Sequence, residues 1–126
     1  MAAESRKINV TRLYTDSTGE SHFIDEKQEV EEVNFAPPAP SMYRSAPVEA
    51  TSMLYLFLPN EWFGDFHPAP KRQQMTLISG ALEVGVSDGE VRRFKPGETV
   101  LVEDTTGKGH STRSVDGESV VLVVQL

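Results

Sequence analysis

The sequence predicts an all-β protein, a small antiparallel barrel or sandwich, on three observations. Short runs rich in β-branched and aromatic residues recur at regular spacing. Gly, Pro, Asn and Asp fill the gaps between them, and no window sustains the 3.6-residue apolar period of a helix. The 126 residues amount to one domain. A chain of that size buries enough surface to fold without a metal or disulfide staple.

Residues 7–14 alternate apolar and polar with Ile8 and Val10 in phase, the pattern of a half-buried strand. Asp16-Ser17-Thr18-Gly19 is a turn signal, and residues 21–25 form a second short run. Residues 1–35 therefore read as N-terminal strands or an arm. Ala36-Pro37-Pro38-Ala39-Pro40 lacks the amide protons for a ladder and is expected to be extended and polyproline-like. With it, residues 36–50 read as a strap across the domain surface. Residues 51–126 carry the barrel, with strands expected at 51–58, 73–79, 82–86, 91–94, 99–103, 110–115 and 119–126. Asp88-Gly89 and Asp116-Gly117 are the expected hairpin turns, and Lys95-Pro96-Gly97-Glu98 a further turn. Most of the aromatic cluster Tyr43, Tyr55, Phe57, Trp62, Phe63 and Phe66 is expected in the core, with Trp62 and Phe66 placed to wall a pocket.

Composition excludes whole classes of chemistry. With no cysteine, the chain has no disulfide framework, thiolate metal site, iron–sulfur cluster or thiol nucleophile. Nineteen acidic against twelve basic residues give a net charge of −7, and residues 16–33 alone hold seven Asp or Glu and one Lys. An acidic surface without a basic stripe disfavours nucleic acid and anionic membrane as partners. The longest apolar run, residues 53–58, is far short of a membrane span, and MAAESRKINV has no apolar leader region, so the cytoplasm is the expected compartment. Gly107-Lys108-Gly109 is no phosphate loop, because the first glycine and the hydroxyl residue after lysine are missing.

Two histidines, His67 and His110, each stand at or before an expected strand, 43 residues apart, where an antiparallel barrel can bring them to one mouth. Residues 61–113 resemble the two motifs of the cupin superfamily. In the first motif, counting back from Gly80 puts Gln73 at the glutamate position, His67 at the first histidine and Ala69 at the second. In the second, Pro96-Gly97-Glu98 is followed by His110. SHFIDE at 21–26, FAPPAP at 35–40, HPAP at 67–70 and EDTTGKGH at 103–110 also look like a subgroup of small single-domain cupins without an assigned reaction.

The resemblance implies a cupin jelly roll, or double-stranded β-helix, that is a single domain over residues 1–126 and forms a homodimer. It also implies a divalent metal, Fe, Mn, Ni or Zn, but only two of the four usual ligand positions keep a histidine. His67, His110 and the neutral amide of Gln73 would hold such an ion weakly. The expected ligand-binding set is His67, Gln73, His110, Trp62, Phe66, Arg72 and Arg113, the arginines being suited to a ligand carboxylate. If there is catalysis, His67 and His110 are its candidates. His22 lies outside the motifs and reads as structural. Three readings stay open. One is a binding module for a small polar molecule in the barrel mouth. Another is a metal-dependent or histidine-base enzyme of oxygenase, isomerase or lyase type. The third is a barrel kept for its dimer surface.

Overall fold

The computed structural model describes residues 6–126, so the N-terminal residues 1–5 of the expected arm lie outside the description. Ten strands follow in order: β1 (Lys7–Thr15), β2 (Ser21–Glu29), β3 (Glu31–Val33), β4 (Met42–Arg44), β5 (Ser52–Leu58), β6 (Phe63–His67), β7 (Gln73–Val86), β8 (Val91–Phe94), β9 (Thr99–Val102) and β10 (His110–Gln125). Among the described residues there is no α-helix, as the absent 3.6-residue period requires. It follows that no helix is long and apolar enough to cross a membrane.

Two long strands organise the fold. The N-terminal half of β7 pairs with the C-terminal half of β10 (Leu77 with Val121, Gln73 with Gln125), and its C-terminal half pairs with the start of β10 (Leu82 with Ser114, Val86 with His110). The first halves belong to a large mixed sheet, β2-β1-β9-β7-β10-β5. The second halves carry β8 on the β7 side and β6 on the β10 side. One eight-stranded sheet thus rolls over on itself into a jelly roll. Inward-facing Leu13, Phe23, Leu58, Leu77, Leu82, Val84, Val86, Phe94, Val121 and Val123 form the core between its layers.

The bend is where sequence and structure part. Strands expected at 73–79 and 82–86 are one continuous β7, and those at 110–115 and 119–126 are one β10. Asp116-Gly117 is not a hairpin between two paired strands, because both halves of β10 pair with β7 rather than with each other. It is a bulge: residues 116–119 stand against Gly80 alone. Ser114 Oγ closes it by donating to the Gly117 carbonyl at 2.8 Å, and Asp116 (φ 58°) and Gly117 (φ 93°) are both left-handed. On the facing strand Gly80 has φ +86°, and a Cβ there would sit 2.3 Å from the Glu118 carbonyl oxygen. The corner therefore needs glycine for both its dihedral and its clearance.

The proline segment also differs. Ala39 N–H donates to the Ala36 carbonyl at 2.9 Å, so residues 36–39 form an exposed turn rather than an extended strap. That turn joins β3 to β4 as a small separate two-stranded sheet. Nor does the aromatic cluster fill the core. Tyr43, Tyr55, Phe57, Trp62, Phe63 and Phe66 are all at least 41% exposed. They sit on or beside β4, β5 and β6, short strands at the margins of their sheets, where one face and one edge meet solvent.

Gly80→Val is expected to destabilise the fold by about 3 kcal/mol or more, since a β-branched residue is strained at this φ and collides with backbone. Denaturant unfolding that leaves its midpoint unchanged would show that the corner relaxes without glycine.

Candidate functional site

β6 lies against the start of β10, with His67 directly opposite His110 and a register shift between that pair and Gly64–Thr112. The extra residue in β6 turns Phe66 outward and keeps His67 facing the interior side. The rings of His67 and His110 are 5.1 Å apart, centroid to centroid, at 46°. Gly109 makes this approach possible: its φ is +75°, and a Cβ would lie 2.1 Å from the His67 carbonyl group.

Both rings border one cavity of about 460 Å³ between the layers. Leu54, Leu56 and Leu58 of β5, Trp62, Met75, Leu82, Val121 and Val123 supply its apolar wall. Gln73, Thr112 and Gln125 add polar groups beside the two imidazoles, and among the described residues no Lys, Arg, Asp or Glu lines it. Strand parity accounts for this: Gln73, Met75 and Leu77 share the inward face of β7, and His110 and Thr112 share that of β10. The structure thus gathers His67, Gln73, His110 and Trp62 around one space.

Three other expected members lie elsewhere. Arg72 precedes β7 and points to the outer face, where its Nε donates to Glu103 at 2.6 Å. Glu103 also accepts from Arg12 Nε at 2.6 Å. Partial burial pushes the Glu103 carboxyl up, but the hydrogen bonds from Arg72 and Arg12 outweigh it, so its pKa falls below the ordinary value. Arg113 is on the opposite face of β10 from Thr112, with its guanidinium 4.6 Å from the Phe63 ring centroid. Phe66 faces out toward Gly85 and Val91. Neither arginine reaches a ligand in the cavity.

Sequence reasoning missed the residue that holds His110. Asp104 is fully buried, and its Oδ2 accepts from His110 Nδ1 at 2.6 Å. Its other oxygen, Oδ1, has no hydrogen-bond partner among the described residues. Burying a carboxylate with one oxygen unsatisfied is costly, so the fold spends stability to keep this pair. The available signal was a carboxylate six residues before a motif histidine in the same tight loop. His67, at the exposed rim, is held by backbone instead: Nδ1 donates to the Asp65 carbonyl at 2.7 Å.

These donors were tested against a divalent ion. Anchoring of Nδ1 by an oxygen is how metal-bound histidines are held. The count nevertheless falls short: Ala69 has no donor atom, and the Gln73 carbonyl already accepts from Gln125 Nε2 at 3.2 Å. Among the described residues no three His, Cys, Asp or Glu side chains gather to hold a metal. Two imidazoles and a neutral amide oxygen are fewer strong donors than the three protein ligands usual for a resident ion.

His22 stands apart on β2, with Nε2 2.6 Å from Asp16 and Nδ1 2.8 Å from Asp88. Hydrogen bonding to Asp16, then to Asp88, raises its pKa above the usual imidazole value. Asp16 is lowered by its bonds from Thr18 and then His22, and Asp88 by the Glu90 amide and then His22.

No protein-family model matches the chain, and no curated protein does. Solved structures do. A conserved protein of unknown function from Streptococcus pyogenes is similar at 21% identity and TM-score 0.48, over 64% of this chain and 68% of that one. A protein from Neisseria meningitidis is similar at 22% identity and TM-score 0.47, over 59% and 72%. Cupin domains are among the matches. That of CENP-C from Drosophila melanogaster is 12% identical at TM-score 0.47, over 77% of this chain and 75% of that one.

Two outcomes are expected from this geometry. Gly109→Val removes the clearance beside His67 and is expected to unfold or strongly destabilise the protein, whereas Lys108→Ala, whose exposed amine pairs only with Glu20, leaves the melting midpoint within a degree or two. For His22 the sign follows from its raised pKa. Its pairing stabilises the fold fully below the unfolded imidazole value of about 6.5, and that contribution is lost as pH rises through the elevated folded value. Unfolding free energies measured across this range should show a decline that His22→Gln removes; identical slopes would refute the ion pair.

Proposed function

We propose that the barrel mouth binds a small uncharged organic molecule. The observation that carries this reading is the composition of the cavity: an apolar wall, a few convergent hydrogen-bonding groups and, among the described residues, no Lys, Arg, Asp or Glu. Its 460 Å³ suits a small organic ligand. A charged ligand would lose its hydration with no counter-charge on the wall. This is a binding module of cupin type, with the metal-dependent reading weakened by the donor count. A second reading, proton transfer by His110, draws on the buried Asp104, which orients the ring as carboxylates do in proton-transfer sites.

Trp62 is the only tryptophan and borders the cavity, so its fluorescence reports occupancy. A library of uncharged fragments should give saturable changes in emission. Leu54→Phe, which narrows the wall, should weaken those hits about tenfold. Hits whose backbone NMR shifts map away from β5, β7 and β10 would sink the reading.

We infer that the partner of this chain is a second copy, meeting it on the outer face of the large sheet. Met53, Tyr55 and Phe57 are each about 60% exposed there, next to the half-buried Val120, Leu122 and Val124. This patch has no charge, on a chain of net charge −7 whose copies repel elsewhere. The opposite edge, β2, carries Asp25, Glu26, Lys27 and Glu29, the usual defence of a free edge. Light scattering should find a dimer that Tyr55→Lys with Phe57→Lys converts to monomer; a wild-type monomer at 100 μM, roughly the weak end of such contacts, would rule it out.

A further inference from the structure

The hydrogen-bond partners of the two cavity histidines determine which proton each ring keeps, and so what the cavity can recognise. A backbone carbonyl and a carboxylate only accept hydrogen bonds. The contact of His67 Nδ1 with the Asp65 carbonyl, 2.7 Å, therefore requires the proton on Nδ1. The contact of His110 Nδ1 with Asp104 Oδ2, 2.6 Å, requires the same. In the neutral form each ring then offers Nε2 as a bare acceptor. Neither Nε2 has a hydrogen-bond partner among the described residues, and both rings line the cavity.

Gln73 is set the other way. Ser52 Oγ donates to Gln125 Oε1 at 2.7 Å, and Gln125 Nε2 donates to Gln73 Oε1 at 3.2 Å. This relay engages one acceptor site of the Gln73 carbonyl. Its amide nitrogen has only the Met75 sulfur, a weak acceptor at 3.8 Å. The cavity wall therefore presents two acceptors on rings 5.1 Å apart and one underused donor.

We propose, building on the cavity-binding reading above, that the ligand is a neutral molecule carrying two neighbouring hydroxyl groups on a mainly apolar body. One hydroxyl donates to His67 Nε2 and the other to His110 Nε2, with one of their oxygens accepting from Gln73. An ether, ester or ketone of the same shape leaves the buried His110 acceptor unpaired and is disfavoured, because an unmet polar group in an apolar site costs more than a met one gains; at the exposed His67 the difference is smaller. Asp104 is a positioning residue. It never reaches the ligand but keeps the His110 proton on Nδ1.

The test uses the full chain at pH 8, where an ordinary imidazole is neutral, and three probes of one shape: cis-1,2-cyclohexanediol, its monomethyl ether and its dimethyl ether. Imidazole ¹⁵N spectra should show both rings protonated on Nδ1, and NMR titration should show affinity falling about tenfold with each methylation. His67→Ala should reduce the first of those ratios toward one. In Asp104→Asn the new amide can donate to Nδ1, which moves the His110 proton to Nε2; an ether oxygen can then accept from His110 while one hydroxyl donates to His67, so the fold-loss on the first methylation should shrink toward one. An Nε2-protonated ring in the wild-type spectrum, or equal affinity for all three probes, would overturn the proposal. Should Asp104→Asn not fold, the wild-type spectrum and the His67→Ala series decide alone. If the fragment library yields cavity ligands that lack paired hydroxyls, this proposal falls and the binding reading stands; if it yields none, both fall.

Discussion

Everything in this molecule hangs on the pairing of β7 with β10. These strands run antiparallel through both layers, and each must turn a corner at the same height. Gly80 on one side and the bulge at 116–119 on the other are two halves of a single solution: the backbone of β10 swells where β7 has no side chain. From that corner follow the two layers, the inward faces that fill the core, and the opening between β5, β6 and β7 that becomes the cavity. Among the described strands, β6 pairs with β10 alone. The distance between the two histidines is therefore a property of the sheet rather than of a mobile loop, and the cavity they border is already formed by the fold.

Charge is sorted as strictly as hydrophobicity. Arg12, Arg72 and Arg92 are tied to carboxylates on outer faces, and His22 is clamped between Asp16 and Asp88. Asp104, the one fully buried acid among the described residues, is turned toward His110. Among the described residues the cavity itself is lined by imidazole, amide and hydroxyl groups but by no Lys, Arg, Asp or Glu. Hydrogen bonds there act across an apolar medium and discriminate more strongly than they would at the surface.

Much of this was legible in the sequence. Alternation revealed the strands, and the parity of Gln73, Met75 and Leu77 gave the inward face of β7. The two histidine motifs pointed to neighbouring places in space. What was not legible depended on contacts between distant segments. Asp116-Gly117 carries the residues of a hairpin, and only pairing of both flanks to β7 makes it a bulge. Arg72 sits one residue before Gln73, so parity alone sends it outward, yet its link to Glu103 also needs the placement of β9. The aromatic residues at 43–66 look like core because of their size; their exposure follows from lying at sheet margins, which only the strand order reveals. Asp104 was hidden because a loop aspartate is usually a cap, and burial of a loop side chain cannot be read from local pattern.

The charge-free strip along β5 has a bearing on how this protein behaves in solution. At low ionic strength the excess of carboxylates keeps copies apart at distances of tens of ångströms. At physiological salt the Debye length shrinks to about 8 Å, and the repulsion no longer reaches beyond the first contact. Attraction between Met53, Tyr55 and Phe57 on neighbouring molecules is indifferent to simple salt at that level. Excluded anions such as sulfate strengthen it. Added salt, which loosens assemblies held by ion pairs, would tighten a dimer of the kind proposed on this strip, and purification in dilute buffer and in concentrated sulfate would then handle two differently associated species.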